Sequence, residues 1–421
     1  MNQMRTSIFR FFYSYRRLDP NVVKLITAAF FLHMINAAFF LILNIYLSKA
    51  GYADHQIADF VSYRFLTVML LAFPLGFLLK GRRLRPFFYT GTMVVPAASL
   101  AIVTAVPLGL EMVIYLSMIV WGLGFTCMQI TILPYILRNT RQSTHSEAIA
   151  LNFASWSISM VLVGALIGGL SQIHSGVFNE QFLITMFGLL GFTGAFLVYK
   201  MDKGEDINKQ EEKAFNLKVY DWGLIIKAMA PTMIISIGAG LTIPFINLFF
   251  YHIYDIDSYQ FAILGGVTSF LVASVSFLVP SVKRWLGYST AITFSQTAAV
   301  VLLVVLASTE LYSHLQFAMW LAIACFIFRQ PLMNMARPMT SELTMYYVGK
   351  KNQEIISAMT STIWSGSWFI SSQIFRTLRG LDWSYSTIFF LTAAFYALGV
   401  VWYYFLVQDY HRRRRANLVE A

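Results

Sequence analysis

Apolar residues run along this chain in blocks of helix length, separated by short clusters of charged and turn-forming residues. Twelve blocks stand out, at roughly 25–48, 59–79, 87–107, 111–137, 148–172, 181–199, 224–251, 261–281, 289–308, 315–345, 355–375 and 385–407. Each approaches or exceeds the ~20 residues that a helix needs to cross a ~30 Å hydrocarbon core. The pattern predicts an all-α integral membrane protein of about 12 transmembrane helices. The first block is too long for a signal peptide, and no small-residue cleavage site follows it.

Polar residues interrupt these blocks in stripes. At about 100° per residue, Arg329, Gln330, Asn334, Arg337 and Ser341 fall on one side of the tenth span. His33, Asn36, Phe40 and Asn44 share an arc of the first, and Asn247 holds the equivalent place in the seventh. The fifth carries Asn152, Ser155, Trp156 and Ser159; the eleventh carries Ser357, Thr360, Ser361, Trp364 and Trp368. Polar groups in hydrocarbon need partners or water, so these stripes predict a shared cavity. Arg329 is the most costly member, since a guanidinium at membrane depth is unfavourable by at least ~2.5–3.5 kcal/mol. The candidate substrate-binding residues are therefore Arg329, Gln330, Asn334, His33, Asn36, Phe40, Asn152, Trp156, Asn247 and Trp364. For any single Ser or Thr, a bond to its own helix carbonyl is the simpler role. Arg64, in the second span, reads as nearer the outer face and within reach of Asp59.

Composition agrees with the pattern: 57% of residues are hydrophobic and 12% charged, against about a quarter charged in soluble proteins. The net charge of +11 would suit a nucleic-acid binder, but its distribution does not. Arg5, Arg10, Arg16 and Arg17 precede the first span, and basic clusters follow the second, fourth, sixth, eighth, tenth and last. The intervening loops hold few, Arg376 and Arg379 being the exceptions. By the positive-inside rule both termini are cytoplasmic. A multi-pass protein of a plasma (bacterial inner) membrane is expected. Cys127 and Cys325 both fall inside spans, as packing residues rather than a disulfide or metal pair.

The long hydrophilic stretch around Lys200–Asp221 divides the spans into two sets of six. It implies a basic N-terminus at 1–24, a bundle at 25–199, a cytoplasmic linker at 200–221, a second bundle at 222–407 and a basic tail at 408–421. Asn44, Asp54 and Lys80 recur as Asn247, Asp257 and Lys283, all at an offset of 203 residues. An even-numbered repeat relates the halves by an axis along the membrane normal and encloses a path between them.

With these features the chain resembles the major facilitator superfamily over essentially its full length. The family's loop between spans two and three reads G-x-L-x-D-x-x-G-R-R. Here Gly76 and Leu78 match and a basic cluster with Arg82 and Arg83 is kept, while Lys80 replaces the acid, which weakens transfer of the family's gate pairing. Gly164, Gly168 and Gly169 look like the end of a fifth-span motif of family exporters, with Ala165 at the proline position. Small residues four apart also let any two membrane helices pack closely. The tenth-span run from Arg329 to Pro338 is similar to a pattern in many members. The resemblance implies two pseudo-symmetric six-helix bundles and gating or coupling roles for Arg337, Glu342, Lys80, Arg82, Arg83, Gly164 and Gly168.

The functional expectation is a monomeric secondary active transporter that moves an anionic or amphipathic small molecule through a lipid bilayer by alternating access, with export favoured. Protons are a candidate coupling ion through His33 or Glu342, although no carboxylate sits at midspan. An organic-anion importer or exchanger, a lipid or glycolipid flippase, and a non-transporting receptor are the alternatives. No cofactor is expected and enzyme chemistry is not. His145, Ser146 and Glu147 are adjacent at a helix start and point in different directions. A nucleotide-binding G-x-x-x-x-G-K-[ST] run does not occur.

Overall fold

The computed structural model describes residues 18–78, 82–140, 145–174, 176–202, 220–276, 279–349 and 353–415. The basic segment through Arg17, Lys80, most of the linker, Lys350, Lys351 and the tail beyond Arg415 lie outside them. Twelve long helices make up the described chain, with no strand among the described residues. They are α1 (Pro20–Lys49), α2 (Asp54–Leu78), α3 (Arg85–Ala105), α4 (Glu111–Asn139), α5 (His145–Ile173), α6 (Glu180–Tyr199), α7 (Trp222–Tyr254), α8 (Ser258–Ser276), α9 (Tyr288–Ser308), α10 (Gln316–Val348), α11 (Gln353–Gly380) and α12 (Tyr385–Arg415). A short helix, Val279–Leu286, links α8 to α9. Local chemistry sets several starts. Asp19 accepts from the N–H groups of Asn21 and Val22 ahead of Pro20, and Asn179 and Asp221 cap α6 and α7 in the same way. Asp255, in the left-handed region at φ 53°, ends α7.

Eleven of these helices are long and apolar enough to cross a membrane. The twelfth, α11, has 28 residues and so the length. Its Ser, Thr, Gln and Trp stripe lowers its apolar content, because it packs against α2 and α7 rather than standing in lipid.

Packing repeats from one half to the other. In the first half α1 packs on α5 and α6, α3 on α4 and α6, and α2 on α4; α7 to α12 pair in the corresponding way. The halves meet chiefly through α2 with α11 and α5 with α8, two contacts that the repeat interchanges.

The duplication is most visible where α1 and α7 are irregular. A π-helical turn, Phe39–Leu43, interrupts α1, and a 3₁₀ turn, Ile243–Phe245, interrupts α7 at the matching place. There Asn44 Nδ2 donates to the Pro244 carbonyl at 2.6 Å and to Asn247 Oδ1 at 3.1 Å. Asn247 Nδ2 reaches the Leu41 carbonyl at 3.5 Å. Each asparagine thus addresses the carbonyl three residues before its repeat partner. The Leu248 N–H, which a regular helix would direct to Pro244, donates to Asn247 Oδ1 at 3.0 Å instead. The helix breaks and the clasp are one feature: loosened ladders supply the acceptors that two buried amides need.

Candidate functional site

The two ends of the bundle differ. At the end away from the termini, the far end, ion pairs cross between the halves. Asp54, only 8% exposed, receives Arg379 Nη2 at 2.9 Å and His252 Nε2 at 3.1 Å, with the Tyr385 hydroxyl donating as well. Asp59 receives Arg376 Nη1 at 2.9 Å, Gln373 Nε2 at 3.2 Å and the Tyr115 hydroxyl at 2.8 Å. Lys49 bridges Glu180 and Asp257, both at 2.6 Å. With the asparagine clasp, these contacts seal the far end. Arg376 and Arg379, the two exceptions to the loop-charge pattern, are the partners of buried carboxylates. At the terminal end, the ion pair of Lys227 with Asp409, at 2.8 Å, stays within one half.

Below the seal, α2 carries Arg64 about 15 Å along the helix from Asp54, at the level of mid-membrane. The pairing of Arg64 with Asp59 read from the sequence is not what the structure holds. Five residues apart on a helix, they point about 140° away from one another. Arg64 Nη2 donates instead to Asn36 Oδ1 on α1, and its guanidinium lies 3.8 Å from the centroid of Trp121 on α4. Phe65 and Phe125 stand at 5.4 Å. No carboxylate pairs with Arg64 among the described residues, and its buried Nε has no partner. A hydrogen bond to a charged group contributes roughly 1.5–3 kcal/mol and a desolvated cation–π contact roughly 2 kcal/mol. Together they offset an insertion cost of roughly 2.5–3.5 kcal/mol. The charge is held in place without being neutralised.

Aromatic rings continue from this arginine into both halves. Phe125 faces Trp156 of α5 at 6.4 Å, and Trp156, 42% exposed, packs edge-on to His33 at 5.0 Å. His33 Nδ1 lies 3.1 Å from Ser155 Oγ. On the other side Phe65 meets Trp368 of α11 at 5.1 Å, and Trp368 meets Trp364 at 6.3 Å. The exposed Arg337 of α10 lies over Trp364 at 4.9 Å. Buried polar atoms without partners, Trp368 Nε1 and Asn152 Oδ1, flank the row. Asp and Glu among the described residues lie in loops or within about two turns of a helix end. The midplane is therefore cationic and aromatic.

Other expected site residues are dispersed. Gln330 and Asn334 are half-buried on α10, Asn334 Nδ2 bonding the Gln330 carbonyl at 2.9 Å, and Ser341 is exposed on the same face as Arg337. Arg329 stands apart. It is 0% exposed in the interior of the second half, near Tyr396 of α12, without an ordinary hydrogen bond to any guanidinium nitrogen. On the wheel it is the edge of the polar arc, about 80–140° from the others, and packing took that edge inward. Asn247 is engaged in the far-end clasp rather than facing the aromatic row, and Phe40 lies half-buried in the π-helical turn. Glu342 is half-buried toward the terminal end, Arg82 and Arg83 are exposed, and the Arg82 carbonyl accepts from Arg138.

Gly164 and Gly168 sit where α5 crosses α8 of the other half. A Cβ on Gly164 would lie 2.5 Å from the Ala262 carbonyl oxygen, and one on Gly168 would lie 2.4 Å from Ile263 Cγ1. Close approach of the two backbones requires glycine here.

Arg64, Trp121, Phe65 and Phe125 were not among the residues expected from the polar stripes. The available signal was the depth of Arg64, ten residues inside a helix of 25. Trp121 and the phenylalanines look like ordinary apolar positions until the fold brings them to it.

Comparison with known proteins agrees with this architecture. The family model for the Major Facilitator Superfamily matches residues 9–372. No curated protein matches the sequence. Among solved structures, a bacterial homologue of the iron transporter ferroportin in its inward-facing state is similar at a TM-score of 0.71 and 13% identity, over 92% of this chain and 98% of that one. The nucleoside transporter NupG gives 0.68 and 11%, over 92% and 99%. A POT family transporter in complex with a thioalcohol-conjugated peptide gives 0.70 and 12%, over 93% and 96%.

Proposed function

Since the chain belongs to the major facilitator superfamily, a family of transporters and not of enzymes, we propose that it moves a small anionic or amphipathic organic solute by secondary active transport. The observation that carries this reading is a midplane with cationic and aromatic groups and no carboxylate among the described residues, between two halves sealed at one end. A ligand of opposite charge there would alter the balance between far-end-closed and far-end-open arrangements only through different affinities for the two. Gln330, Asn334, Asn152, Trp156, His33 and Trp364 would border its path, with Arg337 and Glu342 on the way to the terminal end. The basic loops support cytoplasmic termini in a bacterial inner membrane, with the far end outside. The bundles would run over 25–199 and 222–407, joined by a linker at 200–221.

Export is the direction we favour, on the likeness of Gly164, Gly168 and Gly169 to the exporter motif; packing against α8 accounts for Gly164 and Gly168, and not for Gly169. Protons would couple through His33, since Glu342 lies away from the midplane. Counterflow in proteoliposomes with a panel of aromatic and aliphatic acids tests the reading. Saturable exchange of an acid but not of its amide is expected; exchange limited to neutral or cationic solutes would refute it. Loss of the pH dependence of uptake in His33→Gln is the matching result for coupling.

A further inference from the structure

We propose that Arg64, set by Asn36 and Trp121, is the anion receptor of the transport path, and that it takes the carboxylate of a planar aromatic acid. The inference rests on the organic-anion reading above and names its binding group.

Three charged side chains compete for this role. Arg329 is enclosed in one bundle, with 0% exposure. Arg337 is exposed on the terminal side of the aromatic row, where it suits a role in admitting the ligand. Arg64 alone stands in the middle of a row that spans both halves, half-buried, with α11 of the opposite half across from it through Phe65 and Trp368.

The donor arithmetic favours a ligand. A guanidinium has five N–H donors, and the bond to Asn36 is the one found for Arg64. Asn36 accepts through Oδ1 and brings no charge, so the guanidinium is oriented but left positive. Trp121, 1% exposed, backs one face of it and fixes its plane. A planar, oriented guanidinium matches the two oxygens of a carboxylate better than a point charge would.

The walls give the rest of the ligand. Phe125 and Trp156 on one side and Phe65, Trp368 and Trp364 on the other offer edges and faces for a flat ring. Trp368 Nε1, a buried donor without a partner, faces the same need for an acceptor. One arginine and one indole N–H in the same row suit a monoanion. Because the row joins the two halves, an acid bound there contacts α2 and α11 together and responds to their relative position.

The test uses the purified full-length protein with 1-naphthoate and its neutral isostere 1-naphthamide, measured by calorimetry and by quenching of tryptophan fluorescence. Wild type is expected to bind the acid at least about tenfold tighter than the amide. Arg64→Gln should bring that ratio to about one, with Arg329→Gln keeping most of it. Asn36→Asp places a carboxylate against Arg64 with almost no change of shape and should abolish the preference too; it decides the matter if Arg64→Gln does not fold. If the ratio survives Arg64→Gln or Asn36→Asp but collapses in Arg337→Gln or Arg329→Gln, the receptor is elsewhere and the organic-anion reading stands. If wild type binds both probes equally, or neither saturably, the inference fails together with that reading.

Discussion

The far-end seal and the midplane lie within a few helical turns of one another and treat charge in opposite ways. At the seal, Asp54 and Asp59 each collect donors from three side chains, all from the opposite half for Asp54 and two of the three for Asp59. At the midplane, Arg64 has one neutral acceptor and an aromatic backing. A saturated carboxylate leaves little for a ligand to add, so it serves to hold two bodies together. An oriented cation without a counterion is a position that a ligand completes. The same residue types are structural in one place and receptive in the other, and the count of partners distinguishes them.

The largest predicted disturbance of this contrast comes from Asp54→Asn, which removes the shared anion beneath Arg379 and His252. The reporter is Met69→Cys, half-buried on α2 below the seal and facing Gly366 of α11, in a Cys127→Ala, Cys325→Ala background. Its labelling by an impermeant maleimide from the far side should accelerate at least about tenfold, since breaking such a pair costs about 3–5 kcal/mol when fully buried. An unchanged rate would mean that the seal does not depend on Asp54. A smaller effect is expected from Gly164→Ala, whose methyl meets the Ala262 carbonyl at the α5–α8 crossing. Overpacking there should lower stability in mixed micelles by about 1–3 kcal/mol and slow counterflow, while Gly169→Ala, whose Cβ meets nothing within 4 Å, should do neither. The smallest effect sharpens the clasp. A double-mutant cycle on Asn44→Ala and Asn247→Ala should give a coupling of about 1 kcal/mol, and a value near zero would reduce the clasp to two independent amides.

Legibility in the sequence followed the range of the interaction concerned. The spans were readable because an apolar run of helix length is a local property, and backbone in hydrocarbon has few alternatives to the helix. The repeat was readable because Asn44 and Asn247, or Asp54 and Asp257, keep their spacing. That these asparagines bond each other across the axis was not, since their offset says only that they are equivalent. The polar arc on α10 was also visible, but Arg329 sits at its edge, and a wheel cannot say which edge a neighbouring helix covers. Arg64 was misplaced for a related reason: its depth was in the sequence, whereas Asn36 and Trp121 come to it from α1 and α4.

The sequence by itself determined that this chain is a bundle of about twelve membrane helices in two related halves, because hydrophobic length and spacing are written residue by residue. Only the tertiary structure decided which buried charges are matched and which are left open. That depends on side chains tens to hundreds of residues apart, such as Asp54 with Arg379 or Arg64 with Trp121, meeting across helices whose rotation no single helix specifies.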